Sequence, residues 1–97
     1  MKNTLSVTTV NGCVRTDFVT TDGVTSMEIH RAGLSDAKVL SRLLDKKFYQ
    51  HFKGEWIITF PEDQWSVSKP KFEDVIASAE IHIFNRDNSY PDYSGFC

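Results

Sequence analysis

The chain has 97 residues, of which 40% are hydrophobic and 25% are charged, values typical of one folded domain that exclude a wholly disordered protein. Eleven basic and thirteen acidic residues give a net charge of −2, which excludes a bulk polycation that coats nucleic acid. No apolar segment approaches the roughly 20 residues that cross a bilayer, and the opening MKNTLSVTTVNG has no apolar run typical of a secretory signal. We therefore expect a small soluble cytoplasmic protein without a membrane partner.

The two cysteines are too few for a disulfide framework. Cys13 lies near the start of the sequence and Cys97 is its last residue. We expect both thiols to be reduced, as in the cytoplasm. A bridge between them would require residue 97 to lie beside the first strands.

Two turn-forming dipeptides divide the first third of the chain into three runs rich in β-branched residues. Asn11–Gly12 and Asp22–Gly23 both tolerate the positive φ angles of two-residue type I′ turns. The sequence therefore predicts a three-stranded antiparallel meander, built from Thr4–Val10, Cys13–Thr21 and Val24–Arg31.

The two turns also predict which face of the meander is apolar. A two-residue turn at Asn11–Gly12 puts Leu5 opposite Phe18, and one at Asp22–Gly23 puts Phe18 opposite Met27. Both registers assign the same residues to one face, which a shift of one residue would reverse. The predicted core face comprises Leu5, Val7, Val14, Phe18, Met27 and Ile29. The predicted solvent face carries Ser6, Thr8, Arg15, Asp17, Glu28 and His30.

A helix is expected after the meander. Ser35 can cap the first free amides of a helix, and Asp36 suits the positive end of its dipole. We predict a helix over Asp36–Lys53 that ends at Gly54. Its apolar residues recur at steps of three and four, which is typical of a helix face packed on a sheet. They are Val39, Leu40, Leu43, Leu44, Phe48 and Phe52.

The second half of the chain predicts one further strand and one further helix. Glu55–Phe60 is apolar on both faces and is followed by Pro61, as expected at the end of a strand. Ser68–Pro70 is predicted to begin the second helix, because proline is tolerated in a first turn. The pattern Glu80–Phe84 also alternates as in a strand, but no turn residue precedes it, so we extend the helix to Asn85.

The expected fold class is thus α+β. A three-stranded antiparallel meander is packed by an amphipathic helix and followed by a fourth strand, a second helix and an irregular tail. Residues 1–86 form the single domain in this prediction. Residues 87–97 form the acidic, aromatic tail.

The sequence contains none of the common catalytic motifs at the required spacing: no glycine-rich phosphate loop, HExxH, paired CxxC or GxSxG. The predicted register would put Asp17 beside Glu28, with His30 two residues further on, and such a set can hold a divalent ion. A metal-dependent enzyme at Asp17/Glu28/His30 is therefore a second alternative function. Because Arg15 would offset these carboxylates, a solvated charged face is the simpler interpretation, and we expect a non-enzymatic protein without metal or cofactor.

Charge is distributed unevenly along the chain. Residues 35–54 carry five basic and two acidic side chains, whereas residues 55–97 carry three basic and eight acidic ones. Lys38, Arg42 and Lys46 repeat at every fourth position of the predicted first helix, and Lys53 follows two turns later. This basic ridge is the candidate nucleic-acid interface, because such cations contact phosphates. The acidic second half opposes non-specific binding, so a nucleic-acid-binding accessory protein is an alternative function and nucleic acid a disfavoured partner.

Aromatic residues are abundant, with seven Phe, two Trp and three Tyr. Trp and Tyr are enriched at interface hot spots. The predicted fourth strand, Glu55–Phe60, is a second docking route, because an exposed edge strand can pair with a partner or with a second copy of the chain. We therefore expect a protein-binding module that modulates or inhibits a larger protein by stoichiometric contact, as small inhibitors and adaptors of bacteria and phages do. The candidate partner-binding residues are Trp56, Trp65, Tyr90, Tyr93 and Phe96.

Overall fold

A computed structural model of the chain describes residues 2–88, which form an α+β domain of two layers. One layer is a five-stranded sheet, and two helices form the other layer on one face of that sheet. In chain order the elements are β1 (Asn3–Val10), β2 (Cys13–Val19), β3 (Thr25–Ile29), α1 (Asp36–Lys46), β4 (Trp56–Phe60), β5 (Trp65–Lys69) and α2 (Phe72–Asp87). Within residues 2–88 no helix is long and apolar enough to span a membrane.

The expected three-stranded antiparallel sheet is wrong. The strand order is β3-β2-β1-β4-β5, and β1 is parallel to β4. The fourth strand therefore joins the meander, with Leu5 of β1 beside Ile58 of β4. The connection through α1 is long enough to allow this parallel pairing. As a result β3 and β5 are the two edges of the sheet.

Strand β5 was not predicted, and the second helix begins later than Ser68–Pro70. Trp65 and Val67 are half-buried and alternate with exposed serines, and this period of two is that of a strand with one packed face. β5 pairs antiparallel with β4, and Val67 lies opposite Ile58. Pro70 lies after β5, and α2 begins at Phe72. The helical assignment of Glu80–Phe84 is confirmed.

The first hairpin has the predicted register, but the second is shifted by one residue. Leu5 lies opposite Phe18 as predicted, whereas Phe18 lies opposite Ser26 instead of Met27. A shift of one residue turns every side chain of a strand to the other face. Met27 and Ile29 are consequently exposed and absent from the core, contrary to the prediction.

A hydrogen bond from outside the hairpin accompanies the shift, together with one inside the loop, in which the N–H of Val24 donates to the hydroxyl of Thr20 at 3.1 Å. The N–H of Thr21 donates to the side-chain oxygen of Asn3 at 2.8 Å, so Thr21 does not close the turn. Thr20 closes it instead, and its N–H donates to the carbonyl of Val24 at 2.9 Å. The loop therefore has three residues and ends at Gly23 with φ +85°, a common alternative to the two-residue turn.

Helix α1 begins as predicted and ends earlier. The hydroxyl of Ser35 caps the helix by accepting from the N–H of Lys38 at 3.2 Å. Lys47 adopts a left-handed conformation with φ 57°, which ends α1 at Lys46, and a short 3₁₀ turn follows. Phe48 and Phe52 lie outside the helix but still pack against the core.

Most aromatic side chains in the described part of the chain pack in the core between the two layers. The ring of Phe72 lies at its centre, with centroid distances of 4.5 Å to Tyr49 and 4.7 Å to Trp56. Both neighbours are buried. The ring of Trp56, a predicted partner-binding residue, therefore fills the interior. The buried aromatic residues are Phe18, Tyr49, Trp56, Phe60 and Phe72.

The C-terminal end of α2 is tied to the rest of the domain by Arg86. Its guanidinium donates to Asp36 at the start of α1 and to Asp63 after β4, both at 2.9 Å. His82 is also hydrogen-bonded to Asp63, at 2.9 Å. Burial opposes ionisation of Asp63, but the hydrogen bonds from His82 and Arg86 outweigh it and lower the pKa of this carboxyl group. These contacts link the end of α2 to the start of α1 and to the segment after β4. Both helices pack on the same face of the sheet, and neither covers the opposite face.

Candidate binding surfaces around strand β3

Strand β3 is an edge strand, and all five of its residues are exposed. The N–H of His30, just after β3, donates to the carbonyl of Val14 at 2.8 Å. Backbone groups in an antiparallel pair alternate in direction, so those of Ser26 also face β2. The N–H and C=O groups of Met27 and Ile29 therefore point to the open edge.

An apolar patch lies on the open sheet face beside this edge. We define the β3 patch as Val19, Met27 and Ile29, which are 49%, 51% and 55% exposed. Their neighbours in the strands point towards the helices, so these three side chains lie on the face that no helix covers. On the same face Asp17 lies opposite Met27 and Arg15 lies opposite Ile29, so the patch borders the Arg15–Asp17 ion pair. Exposed apolar residues of this kind occur at interaction surfaces.

A groove of about 610 Å³ lies on the other side of β3, between this strand and α1. We call it the β3 groove. Because of the shifted register, Glu28 and His30 point towards α1 instead of away from it. The basic ridge of α1 lies opposite them, so all three of its helical cations line the groove. The lining residues are Glu28, Ile29, His30, Arg31, Leu34, Lys38, Arg42 and Lys46.

The charge of the β3 groove is predominantly positive. Its acidic side chain, Glu28, lies 3.3 Å from the ammonium nitrogen of Lys46, and both side chains are about half exposed. Among the ion pairs within residues 2–88, none involves Arg31, Lys38 or Arg42. Three cations that no carboxylate of residues 2–88 pairs with favour an anionic ligand in this groove.

The groove continues past the ion pair into an apolar pocket of about 300 Å³. Glu28 and Lys46 line both spaces and so separate a basic half from an apolar half. The apolar half is lined on the strand side by Val24 and Ser26 and on the other side by Phe48 and Phe52. The helix side of β3 thus has two adjacent subsites, one basic and one apolar.

His30 is buried in the wall of the groove and is hydrogen-bonded to the hydroxyl of Thr16 at 3.0 Å. Burial lowers the pKa of His30; the nearby carboxylate of Glu28 opposes this effect, whereas Lys46 and Arg42 reinforce it. The imidazole is therefore neutral at neutral pH and adds no charge to the groove.

We expect the domain to lose stability as the pH falls below about 6.5. The unfolded chain then binds a proton at His30 that the folded state resists, so stability is full above this pH and declines down to the lower folded pKa. One such group contributes a slope of at most about 1.4 kcal/mol per pH unit. Urea unfolding over this range should show a smaller slope for His30→Gln than for wild type. Gln50→Ala, at an exposed position of the 3₁₀ turn, should keep the wild-type slope; an unchanged slope in His30→Gln would contradict the expectation.

The residues predicted to bind a partner do not form one described surface. Trp56 is 2% exposed, which leaves its side chain no surface for a partner. Trp65 is half-buried, and its ring is stacked on that of His82 at a centroid distance of 4.2 Å. Tyr90, Tyr93 and Phe96 lie outside the described residues, as does Cys97.

The three residues of the alternative metal site do not converge. Asp17 lies on the open face, where Arg15 donates to it at 3.0 Å, whereas Glu28 and His30 point towards α1. In the described part of the chain, no three potential metal ligands are grouped together.

Lys53 is separated from the three basic residues of α1 because the helix ends at Lys46. It lines a different groove, beside Tyr49 and Lys71. The basic ridge predicted from the sequence thus consists of three residues in the structure, and Arg31, which the sequence analysis did not select, joins them.

Edge, patch and groove all lie at β3, and none of the three was predicted at this strand. The fourth strand, which was expected to offer an edge for pairing, lies inside the sheet between β1 and β5. The apolar residues at positions 27 and 29 were a visible signal, but the assumed register assigned them to the core. Comparison of the chain with protein-family models, with curated proteins and with solved structures gives no match.

Proposed function

We propose that this protein is a binding module that adds an extended segment of a partner protein to its sheet at β3. The observation that carries the proposal is the orientation of Met27 and Ile29. Their backbone groups point to the open edge, and their side chains are exposed on the open face. Strand addition uses the same two elements, since backbone hydrogen bonds provide affinity and alternate side chains provide specificity.

The other edge strand is less suited to this role. β5 exposes serines and Lys69 and is followed by Pro70, and small polar residues, lysine and proline are features that protect natural edges from pairing. At β3 the one charged side chain, Glu28, is paired with Lys46. A domain that captures one segment per copy modulates or inhibits its partner by occupying that segment, without chemistry.

The substitution Met27→Pro tests the proposal. Proline removes an N–H that points to the open edge and leaves the hydrogen bonds between β2 and β3 in place. We expect a loss of partner capture of at least about tenfold, with the circular dichroism spectrum retained. Phe84→Ala is the control, because it removes another exposed apolar side chain, on α2.

The complex should also show slowed hydrogen exchange at the amides of Met27 and Ile29. A partner that is captured equally by wild type and by Met27→Pro, without protection of these two amides, would contradict strand addition at β3.

A nucleic-acid-binding accessory protein is the second candidate. Lys38, Arg42 and Lys46 line one groove together with Arg31, which is the observation that favours it. Binding of this kind would weaken steeply with salt. A fluorescent single-stranded oligonucleotide that does not bind even at about 50 mM salt would end this alternative.

A further inference from the structure

We propose that the partner segment is amphipathic, with apolar residues on the open face and an acidic residue that enters the basic half of the β3 groove. This inference rests on the proposed function, because it describes the segment that would pair with β3. It adds the chemistry by which the segment is recognised.

The alternation of strands sets where each partner side chain lies. Residues opposite one another in neighbouring strands project to the same face of a sheet. Partner residues opposite Met27 and Ile29 would therefore lie on the open face, where they would extend the β3 patch. Those opposite Ser26, Glu28 and His30 would project towards α1 and the groove.

The two halves of the groove then define the helix-side residues of the segment. Opposite Ser26 lies the apolar half with Phe48 and Phe52, which favours an apolar side chain. Opposite His30 lies the basic half with Arg31, Lys38 and Arg42, which favours a carboxylate. Ser26 and His30 are four positions apart, so the two partner residues would be four apart as well.

The partner residue opposite Glu28 lies between these two helix-side residues and is expected to be polar and uncharged. An acidic side chain directly opposite Glu28 would be destabilised by repulsion, although Lys46 offsets part of that charge. The preferred segment is thus five residues long, with the pattern apolar–apolar–polar–apolar–acidic counted from Ser26 to His30.

An acidic strand explains more of the surface than a nucleic acid does. Phosphates would use the cations of α1, but they would leave the β3 patch and the outward N–H groups of β3 without a role. A peptide strand contacts the edge, the patch and the groove at once. Charge complementarity of this kind governs specificity and the rate of association.

Two peptide probes test the inference on the full chain. The first has a central Val-Val-Ser-Val-Glu, the second has Gln in place of Glu, and each is also synthesised in reversed order because strands pair in either direction. Binding is followed by NMR titration of the amides of β3 at low and at high salt. We expect the Glu peptide to bind about tenfold more tightly than the Gln peptide, with an advantage that shrinks at high salt.

Charge reversal in the groove provides the reciprocal experiment. The double variant Lys38→Glu and Arg42→Glu should lose the preference for Glu and bind a peptide with Lys at that position more tightly than the Glu peptide. The double variant Lys69→Glu and Lys71→Glu has the same change of charge at the other edge of the sheet, and it should keep the wild-type preference.

Each other outcome has a definite meaning. If the Glu and Gln peptides bind equally and Met27→Pro abolishes both, the acidic partner is wrong and strand addition stands. If no peptide affects the β3 amides, strand addition and the acidic partner are both overturned. If a single-stranded oligonucleotide binds through Lys38 and Arg42 and Met27→Pro does not weaken it, the groove is a nucleic-acid site instead.

Discussion

The substitution Phe72→Ala is expected to lower the free energy of unfolding by about 3–5 kcal/mol. Phe72 is 2% exposed, and its ring is stacked on Tyr49 and meets Trp56 edge-on. Alanine would remove this buried apolar surface and leave a cavity among rings held by the sheet, by the 3₁₀ turn and by α2. Because a small domain is stable by only about 5–15 kcal/mol, this single change would leave the fold marginal.

A matched control lies on the same helix. Phe84 is 66% exposed, so Phe84→Ala is expected to change the stability by less than about 0.5 kcal/mol. Urea unfolding followed by tryptophan fluorescence suits both variants, since Trp56 lies beside Phe72. Equal losses in the two variants would contradict the placement of the helix faces.

The same packing changes how a tryptophan variant is interpreted. Trp56 belongs to the cluster around Phe72 and to β4, so its truncation would destabilise the core. Loss of partner binding in such a variant would report unfolding and would not show a direct contact. Variants at the edge of β3 are therefore the more informative test of binding.

The substitution Asn3→Ala is expected to lower the free energy of unfolding by about 2–4 kcal/mol. The fully buried side chain of Asn3 donates to the carbonyl of Lys53 at 2.9 Å and accepts from the N–H of Thr21 at 2.8 Å. Alanine would leave both backbone groups without these partners, and an unsatisfied buried polar group costs about 1–3 kcal/mol. Chemical denaturation measures the loss.

Two further variants define the cause. Asn3→Asp keeps an acceptor for the N–H of Thr21 but turns an oxygen towards the carbonyl of Lys53, so it should also destabilise the domain. Asn85→Ala, at an exposed position of α2, should have little effect. If Asn3→Ala behaves like Asn85→Ala, the hydrogen bonds of Asn3 do not contribute as proposed.

Asn3 also connects stability with the binding surface. Its side chain accepts from the N–H of Thr21 in the three-residue loop between β2 and β3, and the register that goes with this loop exposes Met27. Hydrogen exchange at the amide of Thr21 should therefore quicken in Asn3→Ala, and binding at β3 should weaken with it.

The elements that depend on local chemistry could be predicted from the residues alone. The β1–β2 register follows from Asn11 and Gly12, whose φ angles of 52° and 80° suit the two-residue turn that was predicted. The hydroxyl of Ser35 fixes the start of α1. The absence of a turn residue before Glu80 likewise indicated that the second helix continues through Glu80–Phe84, although this segment also alternates as in a strand.

The features that depend on residues distant in the chain could not be predicted in this way. Leu5 and Ile58 are neighbours in the sheet but far apart in sequence, and no local signal reports such a parallel pair. β5 was overlooked because Pro70 also suited a helix start. The basic ridge of α1 was visible in the sequence, but the groove it lines was not. That groove has its lining because the second hairpin takes the shifted register, in which Asn3 accepts from the N–H of Thr21. In this register Glu28 and His30 point towards α1, and Met27 and Ile29 are exposed at the edge.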